Sequence, residues 1–408
     1  MNRRQWLSVA SAGAMGLIAR ARAASESRQD RIRRIVRAYD EQGFHRTGSA
    51  VDGASADWLR DEVTQTGLTP ALESFPLQRV DVVSASVAVS GRRMDGVPLF
   101  DAGFTGEGGI RGRLGRLEAD AEIGLAETRP NAAGTGPLGD ARRQNRLKAI
   151  VCITHGARPG LCPSNADSFL QPFGPPVLQV ASEDATWLSE QASQRADVQL
   201  IAQVRRTAAD AFNVTATLAG VDTTLAPLII MTPRSGWYRC ASERAGGIAC
   251  WLELMRVLRD ARPPRDVLFV ASSGHELGHL GINAFIDRRP GIVARSAAWI
   301  HLGANVGAAA IAPGQGSTVQ ASDDELEGTL AKAMDAKSLA IGTRTPRGRV
   351  PGGEAEAVHR GGGRYVSIIG ANELFHNPLD TGAAAVDAST VDRFVDAIAG
   401  VAQTLASR

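Results

Sequence analysis

The chain has 408 residues, 44% of them hydrophobic and 22% charged, with a formal net charge of +2 at pH 7. This is a globular balance with room for about two domains. A charge so close to neutral argues against nucleic acid as the main partner.

The first 23 residues read as an address rather than as part of the fold. Arg3-Arg4-Gln5-Trp6-Leu7 is a twin-arginine pattern, Leu7 to Ala19 is a short, weakly apolar core, and Ala21-Arg22-Ala23 is a small-x-small cleavage site. The apolar run is too short to span a membrane in a mature protein, and no other stretch is long and apolar enough. We expect a Tat-type signal over residues 1–23 and a periplasmic or secreted product. Cleavage removes Arg3, Arg4, Arg20 and Arg22 and no acids, so the formal charge moves from +2 to −2. In such a compartment Cys152, Cys162, Cys240 and Cys250 have the number for two bridges, with local pairs the simplest arrangement.

In chain order, residues 27–43 read as a helix with Ile32, Ile35, Val36 and Tyr39 on one face. Residues 54–66 read as a second, carrying Trp58, Leu59 and Val63 inward. Val80 to Ser90 alternates and reads as a strand. Residues 103–145 are rich in Gly, Arg and Ala with weak periodicity. Short strands at 149–153, 176–180 and 198–204, with a helix from Ser182 to Gln191, complete a block over 100–207 that reads as a small β-rich insertion. From 208 onward strands and helices alternate. Strands are expected at 213–218, 228–232, 266–271, 297–302 and 365–369, and helices at 243–261, 323–336 and 388–406. This alternation predicts a three-layer α/β/α sandwich with a mostly parallel central sheet, built from residues 27–99 and 208–408.

The chemistry centres on residues 267–281. An apolar strand breaks at Ser272-Ser273-Gly274 and presents His275 and Glu276 side by side. Open α/β sheets place reactive groups at strand tips in this way. His275-Glu276-Leu277-Gly278-His279 also matches the helical zinc motif H-E-x-x-H. That motif needs a helix already running at the first histidine, and here a strand precedes it. Other polar groups fall at neighbouring tips or starts: Arg234 and Ser235 after one strand, His301 in another, Glu243 at a helix start, and His376 in Phe375-His376-Asn377-Pro378-Leu379-Asp380-Thr381. Histidine near carboxylate at sheet tips suits a metal site or acid–base chemistry.

The order of these motifs resembles the zinc exopeptidases of metallopeptidase family 28, which include aminopeptidases and glutaminyl cyclases. His45-Arg46-Thr47-Gly48-Ser49 is similar to an early R-x-x-G-S-type loop of that family. Asn213 to Gly220 is similar to its N-V-x-A-x-x-x-G strand, Glu276 to Gly281 to the segment after its paired glutamates, and 375–381 to its late metal-binding histidine loop. The inserted block resembles a protease-associated (PA) domain. The resemblance implies that the H-x-D ligand pair falls at Pro233-Arg234-Ser235, the bridging Asp at Glu243, the base Glu at His275 and a further Asp near Gly303. It leaves Glu243, Glu276 and His376 as ligands of one zinc, His275 as an altered general base, and Arg234 and His301 as further catalytic groups, with Arg234 binding a substrate carboxylate.

The expected function is an exported hydrolase that cleaves a peptide or other amide bond with one zinc ion, acting on a peptide or small-molecule substrate. Two other outcomes stand beside it. One is a pseudopeptidase that only binds. The other is metal-free acyl-transfer, cyclase or lyase chemistry in the same site.

Overall fold

A computed structural model describes residues 26–117 and 120–407. The expected signal segment lies outside the described residues. Fourteen strands are present among them: β1 Pro70–Val89, β2 Arg92–Asp95, β3 Val97–Pro98, β4 Ile110–Arg116, β5 Ile123–Thr128, β6 Ala149–Thr154, β7 Val177–Val180, β8 Asp197–Leu218, β9 Leu228–Pro233, β10 Val267–Ser272, β11 Ala298–Leu302, β12 Ser317–Ala321, β13 Ile341–Arg344 and β14 Tyr365–Ile369.

The central sheet runs β13-β12-β14-β11-β9-β10-β8. Its middle, β14-β11-β9-β10, is parallel. β8 against β10 and β12 against β14 are antiparallel. Both faces are covered at its centre, so β9 and β10 are apolar along most of their length rather than alternating. In β9, Leu228 and Ile230 face a layer that includes Ile248, Trp251, Met255 and Ile398 from the helices Gly246–Ala261 and Ala388–Ala406. Ile229 and Met231 face the other way, toward Ile282, Phe285 and Val358. All four β9 side chains are fully buried. Each such aliphatic group contributes about 1.5–3 kcal/mol relative to exposure. The result is the three-layer α/β/α sandwich, with mixed strand direction at its flanks.

In the second half of the chain every expected strand and helix is present, and the structure adds the strands β12 and β13 and the helices Leu280–Asp287, Ile292–Arg295 and Ala355–Arg360. The first half departs from the expected elements most at two strands. β1 and β8 are 20 and 22 residues long and pair antiparallel from Pro70↔Ala216 to Val89↔Val198. Residues 205–210 fall between two expected strands and are mostly polar. Cross-strand bonds hold them extended: Thr207 Oγ1 donates to Asp81 Oδ2 at 2.6 Å, and Arg79 binds the same carboxylate. These two strands carry the chain out of the sandwich into the inserted region. There β4, β5, β6 and β7 run parallel around Val87, Leu114, Ile123, Val151 and Leu200. The weakly periodic stretch 103–145 thus contains two strands and the helix Gly136–Gln144. All four cysteines are buried free thiols, so the expected bridges are absent. No helix among the described residues is long and apolar enough to cross a membrane.

Candidate active site

β10 ends at Ser272, and Gly274 turns the chain with φ +86°. A Cβ on Gly274 would lie 2.8 Å from that of Leu280, so only glycine fits the turn. His275–Leu277 form one tight helical turn. Gly278 and His279 then take left-handed conformations before the helix Leu280–Asp287 begins. His275 and His279 therefore do not share a helical face, which rules out the H-E-x-x-H arrangement.

Instead, His275 meets a carboxylate that the sequence did not mark. Its Nδ1 lies 3.0 Å from Glu354 Oε1. His301, from β11, places Nε2 3.1 Å from Glu354 Oε2 and Nδ1 2.8 Å from Ser367 Oγ. All four groups are buried. Burial pushes the Glu354 carboxyl up, but His275 and His301 outweigh it and hold the group well below the usual range. An ionised carboxylate only accepts, so both imidazoles donate to it. That fixes His275 with its proton on Nδ1 and its lone pair on Nε2. Burial, and next the positive charge of Arg244, lower the His275 pKa to about 4. The imidazole is then neutral at pH 7.

Two glycines make room for this group. A Cβ on Gly303 would come 3.0 Å from His301 Cε1 and 2.9 Å from Ile369 Cγ1. A Cβ on Gly353 would come 2.9 Å from the same His301 atom, and Gly353 has φ +70°. The His301 ring thus fills the space that a side chain at position 303 would need.

His275 and His301 open onto a cavity of about 190 Å³, also lined by His279, Phe375, Asp167 and Glu356. A larger cavity of about 770 Å³ lies in the inserted region, beside Ser90, Arg111 and Gln199, away from these histidines. The smaller one is the candidate active site because its concave wall carries His275 and His301, the two imidazoles that Glu354 holds.

The other expected site residues divide. Glu243 lies in the wide π-helical turn Ala241–Ala245. Asp380 holds that turn, accepting from the backbone N–H groups of Ser242 and Glu243. Glu243 Oε1 is 3.5 Å from His376 Nε2, so these two come together as expected. His376 is fixed from the inserted region, its Nδ1 lying 2.6 Å from the Pro163 carbonyl. Burial raises the Glu243 carboxyl, but Arg244 and then His376 bring it far below the ordinary value.

Glu276 is engaged elsewhere. Its Oε1 accepts from the Thr47 N–H at 2.7 Å and its Oε2 from Ser235 Oγ at 2.7 Å. Burial raises its pKa against these bonds. Arg234 is also removed from the cleft. It pairs with Asp52 at 2.9 Å, both side chains fully buried, and its remaining donors go to the carbonyls of Phe212 and Asp52. A guanidinium so enclosed has no free edge for a substrate carboxylate, so that expectation is corrected.

The expected ligands imply a zinc ion. Among the described residues no three His, Cys, Asp or Glu side chains are placed to hold a metal ion. Glu243 and His376 provide two donors. The third, Glu276, is turned to Thr47 and Ser235, each of its oxygens accepting one hydrogen bond, and Arg244 Nη2 lies 2.7 Å from Glu243 Oε1. The side chains as arranged do not fit a zinc site.

Comparison with known proteins places this geometry. Residues 232–402 match the model of peptidase family M28. Among solved structures, a peptidase M28 precursor from Shewanella amazonensis SB2B superposes with a TM-score of 0.74 at 16% identity, over 94% of each chain. BSAP, a zinc aminopeptidase from Bacillus subtilis, gives 0.71 at 15% identity, over 92% of this chain and 93% of its own. The aminopeptidase from Aneurinibacillus sp. strain AM-1 gives 0.69 at 15% identity, with the same coverage. No curated protein matches the chain. The chain has the zinc-exopeptidase-like fold, and from 232 to 402 it carries the M28 sequence pattern.

Proposed function

We propose that this chain, built on the M28 peptidase fold, is an exported hydrolase of a peptide or related amide bond, with His275 as its general base. One observation carries the reading: Glu354 orients two imidazoles at the wall of the cleft, and His275 keeps a basic Nε2 there. In the proposed step, water gives a proton to His275 Nε2 as its oxygen bonds to the substrate carbonyl carbon. The C–N bond then breaks, and the imidazolium returns the proton to the leaving amine. Glu354 stabilises that imidazolium, which a neutral partner would not. The cavity, about 190 Å³, suits one side chain or a short acyl group. Asp167 and Glu356 on its wall favour a substrate with a positive end, such as a free amine.

Zinc belongs to aminopeptidases of this fold, but no step here is routed through it, because the donors do not fit. The signal-like residues 1–23 support the exported location. The inserted region, PA-like in its sequence, helps shape the site by holding His376 through Pro163.

A second reading has its own support. Ser235 and Gly303 stand where the family resemblance calls for two aspartates, which favours a binding protein that kept the cleft and lost turnover. Kinetics on the mature chain separate the two, using a panel of aminoacyl and acylated amides beside His275→Gln. Turnover that falls by roughly 100-fold or more in the variant supports the hydrolase. Saturable binding of the same compounds without turnover in either protein supports the binding role.

A further inference from the structure

The residue that follows Glu243 has no counterpart among the expected site groups, yet it occupies the heart of the ligand cluster. Arg244 is fully buried. Its Nε donates to the Ser235 carbonyl at 2.7 Å, which aims the guanidinium back across the wide turn. Its Nη2 then lies 2.7 Å from Glu243 Oε1. Beyond that ion pair, Nη1 and Nη2 have no hydrogen-bond partner, and neither does His376 Nε2, 3.5 Å from the same carboxylate oxygen. A buried carboxylate and a buried imidazole nitrogen without hydrogen bonds are what a metal-ligating pair looks like when its cation comes from elsewhere. Ser235, whose carbonyl anchors Arg244, is one of the positions where the resemblance would put a metal-binding aspartate.

We propose that Arg244 is an internal replacement for a metal ion: its guanidinium supplies the positive charge at Glu243 and His376, and the native chain does not take up zinc there. A divalent cation at that point would be repelled by a fixed guanidinium that cannot be deprotonated in a protein. It would also have to displace the ion pair that neutralises Glu243. Glu243 and Arg244 both lie in the π-helical turn Ala241–Ala245, and the bond from Arg244 Nε to the Ser235 carbonyl brings the guanidinium back onto Glu243.

The inference concerns which cation the site holds, so it stands apart from whether the cleft hydrolyses anything. Its test uses zinc itself as the probe. The mature wild-type chain, purified without chelator, is assayed for metal by elemental analysis and titrated calorimetrically with zinc chloride. The same is done for His376→Ala, Arg244→Asn, Arg244→Lys and Arg244→Asn/His376→Ala. The wild type and Arg244→Lys are expected to hold well below one zinc per chain. Arg244→Asn is expected to bind zinc at least tenfold more tightly than the wild type, and the double variant to lose that gain. One zinc per chain in the wild type, removed by His376→Ala, overturns the proposal even if Arg244 variants fail to fold. A folded Arg244→Asn with no gain in zinc affinity also overturns it.

Discussion

Glu354 holds His275 through a buried 3.0 Å hydrogen bond from Nδ1 to Oε1, although 79 residues separate them in the chain. The same carboxylate holds His301, so removing its charge disturbs both rings. Glu354→Gln keeps the shape but presents an amide whose nitrogen cannot accept from an imidazole N–H. The variant is expected to fold, and to lower kcat by on the order of 100-fold with a smaller change in KM. The His275 pKa should also fall below its native value, since the Glu354 charge raises it. Steady-state kinetics and imidazole NMR titration check the two effects. An unchanged His275 resonance would deny Glu354 its orienting role.

The two glycines around His301 make a second prediction. Gly303→Ala places a methyl 2.9 Å from Ile369 Cγ1 and 3.0 Å from His301 Cε1 at the cavity wall. It should cost about 1–3 kcal/mol through overpacking. Gly353→Ala should cost more, because it adds a left-handed backbone to a similar contact. Gly348→Ala, with nothing within 4 Å, serves as the neutral control. Chemical denaturation of the three variants ranks them. A Gly303→Ala protein as stable as the control would mean that the His301 ring can move aside freely.

Arg234 and Asp52 give a third prediction, on stability. The pair is fully buried, and Asp52 also accepts from the Gly48 N–H and Ser273 Oγ. Asp52→Ala leaves a guanidinium in the core without its counter-ion. The expected loss is about 3–5 kcal/mol, read as a fall in thermal midpoint. If Arg234 were instead a substrate anchor, Asp52→Ala would leave stability nearly intact and raise KM.

The sequence made some of this site legible and hid the rest for identifiable reasons. Val267–Ser272 was readable because six apolar or small residues run straight into a Ser-Ser-Gly break. Glu243 and His376 were readable from their motif context, and they do meet. Glu354 was not. It follows Pro351-Gly352-Gly353 in a loop without periodicity, and only the fold brings it to β10 and β11. Arg244 was hidden differently, reading as one more polar residue at a helix start. Its direction is set by a hydrogen bond to the Ser235 carbonyl, which no side-chain pattern announces. Arg234 sat at the right strand tip, but the tip alone does not say which way a long side chain turns. A partner on the helix Ala50–Gln65, Asp52, drew it inward.

The last prediction concerns acid. His45 stacks on Tyr39 with ring centroids 3.7 Å apart, and burial, then the charge of Arg234, lower its pKa from 6.5 to about 3. His275 is lowered to about 4 by burial and then Arg244. The unfolded chain binds protons at both near pH 6.5, and the folded chain resists them. Their contribution to stability is therefore complete above that pH and is lost as pH falls toward 4 and then 3. Asp380 acts oppositely. Burial raises it from 3.8 to about 6, so the folded chain holds a proton there that the unfolded chain releases. Its penalty is present above pH 6 and is relieved toward pH 4. Two imidazoles outweigh one carboxyl, so urea denaturation should show the unfolding free energy falling by a few kcal/mol between pH 7 and 4.5, and flat from 7 to 8. His45→Phe keeps the stack on Tyr39 and removes a titrating group, so it should flatten the acid slope. Asp380→Asn should steepen it. A wild-type stability that holds steady down to pH 4.5 would mean that these two imidazoles are already protonated in the native state.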